Sequence, residues 1–304
     1  MPETRSRAGT VALVGRPNAG KSTLMNRWLG EKLSIVSDKP QTTRRSIVGI
    51  LSEPRGQMVF YDTPGIHRPV HQMNQRMMRF TREALEGADV VVLLVDASEP
   101  PGKGESFTAE LVGAAPGKKL VLLNKVDRIE KPRLLPRIAA YAARGYAEIV
   151  PISALTGDGC EQALELLWGM LPEGEPSFDP ELLTVHPERF LVAERIREKV
   201  LELTRDELPF ATAVVLDRWE EMEDRGLVRL SATLLVEKPG QKGILLGKGG
   251  QRIKEIGTAA RLDLEAYLGR RVYLELFVKV EPGWRERKDV LADLERDAEA
   301  VDLG

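Results

Sequence analysis

Apolar positions fall into two alternating rhythms through the first half of the chain. Thr10-Val11-Ala12-Leu13-Val14, Val90–Val95 and Lys119–Leu123 are short apolar runs, which predict buried strands. Between them, Thr23–Leu29, Gln72–Glu86 and Glu105–Ala115 read as helices, the first ended by Gly30. Ile47–Ser52 and Gln57–Tyr61 predict a hairpin across Glu53-Pro54-Arg55-Gly56. Glu148–Pro151 adds a short strand and Gly159–Leu171 a closing helix. This alternation predicts a three-layer α/β domain with a mostly parallel sheet.

The rhythm changes after Leu171–Pro180, a stretch rich in Pro, Gly and acid that marks a boundary. Glu188–Leu208 has helical apolar spacing at Phe190, Val192, Ile196, Val200 and Leu203. Two strands are expected at Ala211–Glu220 and Leu227–Val236, around the turn Glu223-Asp224-Arg225-Gly226, and a last one at Arg271–Val280. The expected division is therefore a domain over 1–172, a linker over 173–188, a smaller α+β domain over 189–282 and a charged helical tail over 283–304.

Chemistry enters at Gly15–Ser22, G-R-P-N-A-G-K-S, a complete phosphate loop between a predicted strand and helix. Gly15 and Gly20 let the backbone curl close to an anion. The loop residues Arg16, Asn18 and Ala19 and the helix start at Thr23 then present N–H groups to phosphate, while Pro17, which has no N–H, shapes the loop between them. Lys21 is placed to reach the terminal phosphates, and the Ser22 hydroxyl to ligate their Mg²⁺. In the polar loop Glu31–Ser46, Thr43 is the candidate for a second metal hydroxyl, with Thr42 close behind. Asp62-Thr63-Pro64-Gly65 ends a strand. Asp62 is placed to hold Mg²⁺ through water, and the Gly65 N–H to bond a γ-phosphate only while that phosphate exists. Lys21, Thr43 and Gly65 are the candidate catalytic groups.

Asn124-Lys125-Val126-Asp127 follows the next strand. The Asp127 carboxylate can accept from guanine N1–H and the N2 amino group, and adenine would leave it unpaired. Asn124 either contacts the base or braces the phosphate loop, and the Lys125 stem can cover the base face. Ser153-Ala154-Leu155 supplies a candidate N–H, from Ala154, for guanine O6.

In the second domain, Gly247-Lys248-Gly249-Gly250 is a G-x-x-G between helical segments. Such a loop lets a nucleic-acid backbone come close while Lys248, Arg252 and Lys254 add charge, and Ile244, Leu245 and Ile253 offer an apolar groove for bases. Lys242 to Lys288 carries eleven Lys or Arg and six Asp or Glu, with Arg285, Arg287 and Lys288 extending the patch. No aromatic stacking pair of the RRM type stands out.

The five motifs G-x-x-x-x-G-K-S, T-T, D-x-x-G, N-K-x-D and S-A-L, in that order, resemble a translation-factor-class GTPase domain. Followed by a single type II KH arrangement, they resemble the Era family of bacterial ribosome-assembly GTPases over nearly the whole chain. The resemblance implies a phosphate-loop GTPase fold followed by a KH domain, Mg²⁺ use and hydrolysis of GTP to GDP and phosphate. It also implies binding of single-stranded RNA near the 3′ end of 16S ribosomal RNA and a role in maturation of the small (30S) subunit. The implied chain is monomeric and cytoplasmic, with peripheral association at the inner membrane face reported for the family.

One position departs from Ras-like domains, which carry a water-orienting Gln just after D-x-x-G; this chain has Ile66. Either the enzyme is slow, or backbone, other residues or a partner position the water. Asn18 is of interest because related GTPases hold K⁺ with its equivalent. Two other functional classes compete with this one: a GTP-dependent signalling protein with the KH fold as a protein-binding module, and an RNA-modifying enzyme. The latter lacks a catalytic cysteine, metal cluster or second cofactor loop.

Composition changes little in this picture. Apolar content of 42% and charged content of 30% are ordinary for a soluble protein, and a net charge of −2 does not itself advertise nucleic acid. Cys160 is the single cysteine, which excludes an internal disulfide. The N-terminus has no apolar signal core. His67 and His71 lie four apart with Pro69 between them and no nearby ligand partner, so they read as loop residues.

Overall fold

The computed structural model describes residues 6–39, 41–66 and 72–296. The chain divides into two compact units, parting between Val185 and His186.

The first unit runs β1 (Arg7–Gly15), α1 (Lys21–Leu29), β2 (Ile47–Glu53), β3 (Gly56–Asp62), α2 (Gln72–Gly87), β4 (Val90–Asp96), α3 (Lys103–Gly113), β5 (Lys118–Asn124), α4 (Leu134–Ala142), β6 (Glu148–Pro151) and α5 (Cys160–Met170). Its six-stranded sheet has the order β2-β3-β1-β4-β5-β6. Only the β2–β3 hairpin is antiparallel. Both faces of the central strands are covered, which is why Val11–Val14 and Val90–Leu94 are apolar without alternation and almost wholly buried. The register Leu13↔Asp62, Gly15↔Leu94, Asp96↔Asn124 and Leu123↔Pro151 brings the carboxyl ends of five strands to one edge. That edge is where open α/β sheets bind ligands.

Helix α4 has no counterpart among the elements expected from the sequence. Pro136 sits in its first turn, and its packed face is Leu134, Ile138 and Tyr141, at helical spacing, with the buried Arg137 beside them. The stretch after α5 is tied to the same unit. Gln57 accepts from the Ser177 and Phe178 N–H groups and donates to Phe178 O, while Ile50 N–H donates to Leu183 O and Thr184 Oγ1 to Val48 O. The last two of these bonds cover the free edge of β2.

The second unit runs α6 (Glu188–Leu203), α7 (Leu208–Ala211), β7 (Ala213–Met222), β8 (Leu227–Val236), α8 (Pro239–Leu246), α9 (Gln251–Leu268), β9 (Arg271–Val280) and α10 (Lys288–Arg296). Its sheet has the order β7-β8-β9, antiparallel and then parallel. Val228, Leu230, Ala232, Leu234 and Val236 alternate onto one face of β8 and meet Val192, Ile196 and Val200 of α6 and Ile256, Ala260 and Leu264 of α9. The helix expected over 188–208 stops at Leu203. Thr204 Oγ1 closes the end by donating to Val200 O, Asp206 turns to φ 58°, and Pro209 opens the short α7.

Candidate nucleotide site and nucleic-acid interface

The loop between β1 and α1 curls as its glycines predict. A Cβ on Gly15 would lie 2.4 Å from Leu94 O, and one on Gly20 (φ 99°) 2.2 Å from Asn124 Nδ2. Lys21 Nζ lies 3.3 Å from Arg16 O and 3.5 Å from Gly15 O, held over the loop it belongs to. Burial lowers its pKa despite the nearby Asp62 carboxylate. The site thus stores a desolvated cation, which a phosphate would satisfy far better than two carbonyls do.

Ser22, Thr43 and Asp62 converge. Ser22 Oγ donates to Asp62 Oδ2 at 2.6 Å and lies 3.2 Å from Thr43 Oγ1. Thr42 instead donates to Lys39 O at 2.6 Å, so the structure selects Thr43 of the two threonines. Asp62 is fully buried, its pKa raised by burial against the pull of Lys21 and Ser22, and its Oδ1 has no hydrogen-bond partner among the described residues. Two hydroxyls and one carboxylate are hard oxygen donors and too few to enclose a cation, a set that suits Mg²⁺ sharing its shell with phosphate and water. No cluster of three or more His, Cys, Asp or Glu fit for a metal occurs among the described residues, and His67 and His71 lie outside them.

A Cβ on Gly65 would come within 2.6 Å of Pro17 N, so this residue passes directly against the phosphate loop. Ile66 turns the other way, 2% exposed in the core with Val14, Met78, Leu93 and Val95. Asn18 (φ 62°) donates from Nδ2 to Asp38 O at 2.6 Å, which ties the phosphate loop to the 31–46 loop.

At the other end, Asn124 settles between its two readings. It donates to Ala19 O at 2.7 Å and accepts the Ala154 N–H at 2.8 Å, bracing two loops rather than offering itself to a base. The Ala154 N–H expected at guanine O6 is therefore already donated. Ser153 Oγ donates to Asp127 Oδ1 at 2.6 Å and orients that carboxylate. Lys125, in the left-handed region at φ 67°, pairs with Asp96 at 2.6 Å. Burial acts to raise the Asp96 pKa, but hydrogen bonds from Lys125 and Ser98 outweigh it and hold the carboxyl below its usual value.

These groups line one cavity of about 690 Å³, within the range of small-molecule sites. Arg16, Pro17, Asn18, Gly20, Lys21, Ser22, Thr23, Thr43, Gly65, Asn124, Lys125, Asp127, Ala154 and Leu155 form its wall. Gly15, Ala19, Asp62 and Ser153 stand behind it. Asp96 belongs to the same wall and carries no motif of its own; its role appears only once β4 and β5 lie side by side.

The second unit presents a different surface. Gly247 adopts φ 70°, ψ 177°, and Gly249 and Gly250 have φ of 60° and 80°. A Cβ on either of the latter two would meet nothing within 4 Å. Lys248 and Lys254 are exposed, Ile244 is 56% exposed, and Ile253 is half-buried. Leu245 corrects the expectation of a base contact: it is fully buried in the core, because adjacent helical positions point about 100° apart and Ile244 takes the outer face. Arg252 is partly engaged, donating to Leu203 O at 2.6 Å. The basic extension is also neutralised, since Arg285 pairs with Glu237 and Arg287 with Glu281 and Asp289. Tyr273 and Phe277, four apart on one face of β9, are half-exposed aromatics that the sequence does not single out.

The family model described as "50S ribosome-binding GTPase" matches residues 10–125, and the one described as "KH domain" matches 207–285. GTPase Era of Geobacter metallireducens is 48% identical over 295 residues, covering 97% of this chain and 99% of the relative. The chain belongs to the Era family. GTPase Era of Heliobacterium modesticaldum is 44% identical over 94% of this chain and 95% of its own. Two solved Era structures superpose on this Era-family chain, each at 38% identity and covering 94% of it and 98% of their own. An Aquifex aeolicus Era variant bound to GDP.AlF4⁻ gives a TM-score of 0.90, and an Era in complex with MgGDPNP and nucleotides 1506–1542 of 16S ribosomal RNA gives 0.91. The fold is thus a phosphate-loop GTPase domain followed by a KH domain.

Proposed function

We propose that this Era-family chain is a GTPase switch that hydrolyses GTP to GDP and phosphate and binds single-stranded RNA near the 3′ end of 16S ribosomal RNA, promoting maturation of the small ribosomal subunit. The observation that carries the nucleotide half is the convergence of Lys21, Ser22, Thr43 and Asp127 on one cavity, with the Asp62 carboxylate behind its wall bonded to Ser22.

Lys21 exchanges its two carbonyls for the terminal phosphates and stabilises the charge that builds there in the transition state. Ser22 and Thr43 would hold Mg²⁺ directly and Asp62 through water, where the ion would neutralise phosphate charge. The Gly65 N–H bonds the γ-phosphate and orders its loop, and hydrolysis breaks that bond. The Ile66 side chain takes no part in orienting water, since it lies in the core and has no polar atom. Hydrolysis is accordingly slow without an activator. A K⁺ ion bound at Asn18 is the candidate for part of that activation; equal rates in K⁺ and Na⁺ would exclude it.

For the RNA half, the support is the open glycine loop with Lys248 and Lys254 beside the exposed Ile244. The 50S description belongs to a model covering the GTPase domain alone, whereas the Era solved with 16S RNA resembles this chain over both units. We therefore favour the small subunit. On this reading the chain works in the cytoplasm as a monomer, with any membrane association peripheral.

The test is binding of a single-stranded RNA copied from the 3′ end of 16S RNA, with a non-hydrolysable GTP analogue and with GDP. Sequence-dependent binding favoured by the analogue supports both the RNA target and the switch. Equal affinity in both states removes the switch, and no binding removes the direct RNA reading in favour of a protein target.

A further inference from the structure

The loop 153–156 has its backbone N–H groups engaged at every position but one among the described residues. Ser153 N–H donates to Asp158 O, Ala154 N–H to Asn124 Oδ1 and Thr156 N–H to Ser153 Oγ. Leu155 N–H has no partner among them, and Leu155 lines the nucleotide cavity.

One side chain grips the peptides on either side of Leu155. From α1, Arg27 Nε donates to Ala154 O at 2.8 Å and Nη2 to Leu155 O at 2.6 Å. Across a planar trans peptide, the carbonyl of one residue and the N–H of the next point in opposite directions. Holding Ala154 O towards α1 therefore turns the Leu155 N–H away from α1. Gly157 (φ 101°) leaves room for this grip, for a Cβ there would lie 2.9 Å from Arg27 Nη1.

We propose that Arg27 is a positioning residue for guanine recognition: by fixing the 154–155 peptide it aims the Leu155 N–H at guanine O6. This rests on the GTP-binding reading above. The chemistry discriminates, because an N–H donor is satisfied by the O6 of guanine and opposed by the 6-amino group of adenine. Arg27 is not among the residues that line the cavity. It also joins the two ends of the site, since α1 starts at the phosphate-binding Lys21 and reaches the base loop at Arg27. Lysine cannot replace it, as an ammonium lacks the planar fork that spans two neighbouring carbonyls.

The experiment uses the full chain with Mg²⁺ and compares the affinities of GDP, inosine diphosphate and 6-thioguanosine diphosphate. Sulfur at position 6 is a poor acceptor, while N1–H and the N2 amino group, read by Asp127, remain. The unaltered chain should prefer GDP over the thio analogue. Arg27→Ala should weaken GDP about tenfold, collapse that preference towards unity and leave the GDP-to-inosine ratio unchanged. Arg27→Lys should behave like Arg27→Ala. Arg27 lies at the surface, so the melting temperature serves as a folding control. Equal losses for all three nucleotides would make Arg27 a general brace and overturn the proposal. So would an unaltered chain indifferent to sulfur at position 6, or rescue by lysine. Failure of the unaltered chain to bind GDP at all would instead sink the nucleotide reading beneath it.

Discussion

The chain carries two glycine loops with one lysine each, and both open a helix. At 15–22 the loop is enclosed: a Cβ on Gly15, Gly20 or Gly65 collides with Leu94, Asn124 or Pro17, and Lys21 is 6% exposed. At 247–250 the loop is open: Gly249 and Gly250 face nothing within 4 Å, and Lys248 is exposed. A compact polyphosphate can be surrounded, so the protein supplies desolvated charge and fixed dipoles on all sides. A polymer enters and leaves past the loop, so the loop must present its backbone without walls. Glycine serves the protein's own packing in the first case and the ligand's approach in the second.

Changes that break the enclosed loop should be largest. Lys21→Ala is expected to cost about 3 kcal/mol of GTP binding, roughly 150-fold, read by calorimetric titration with Mg²⁺. RNA affinity measured without nucleotide should not move.

On the open side, Gly249→Asp should weaken single-stranded RNA by about 2 kcal/mol, some 30-fold, with GDP affinity unchanged. Aspartate tolerates the left-handed backbone there, so the fold should survive. Gly247→Asp is a poorer test. Its φ 70°, ψ 177° is essentially reserved for glycine, and a Cβ would press on Arg252 N at 2.9 Å. If Gly249→Asp instead lowers the melting temperature as much as Gly20→Ala does, the distinction between the loops fails.

Ile66→Gln sharpens the account of the enclosed site. It should destabilise the protein by about 1–3 kcal/mol, because an amide enters the core without a partner, and should not speed hydrolysis. A faster enzyme would show that the side chain can leave the core and reach the water.

The smallest effect expected is with pH. The Asp96 pKa is held below its ordinary 3.8: burial pushes it up, and the hydrogen bonds from Lys125 and Ser98 more than offset that push. A depressed carboxylate pKa contributes its stabilisation fully above the unfolded value and loses it as pH falls through the folded one. GDP affinity should thus not change through Asp96 between about pH 8 and about pH 5, and Asp96→Asn should lower it modestly across that window.

Much of this was legible in the sequence for a definite reason. A phosphate loop, N-K-x-D and G-x-x-G are local: their residues act within one turn, so spacing along the chain is spacing in space. Strand ends were legible too: Glu148–Pro151, Leu227–Val236 and Arg271–Val280 have the bounds expected of β-rich runs set between turn residues. Helix α4 was missed although Leu134, Ile138 and Tyr141 have helical spacing; what spacing could not show is its buried Arg137, which is paired with Glu105 of the distant α3.

The same division runs through the sites. Sequence alone determined which residue types are candidates for phosphate, metal and guanine, because each chemistry demands particular donors. Tertiary structure alone decided their direction: Thr43 and not Thr42 beside Ser22, Asn124 as a brace, Leu245 in the core, Ile66 turned from the cavity and Arg27 on the base loop. The reason is geometric. A residue's chemistry belongs to its side chain, but the face it presents depends on which distant strand or loop lies against it.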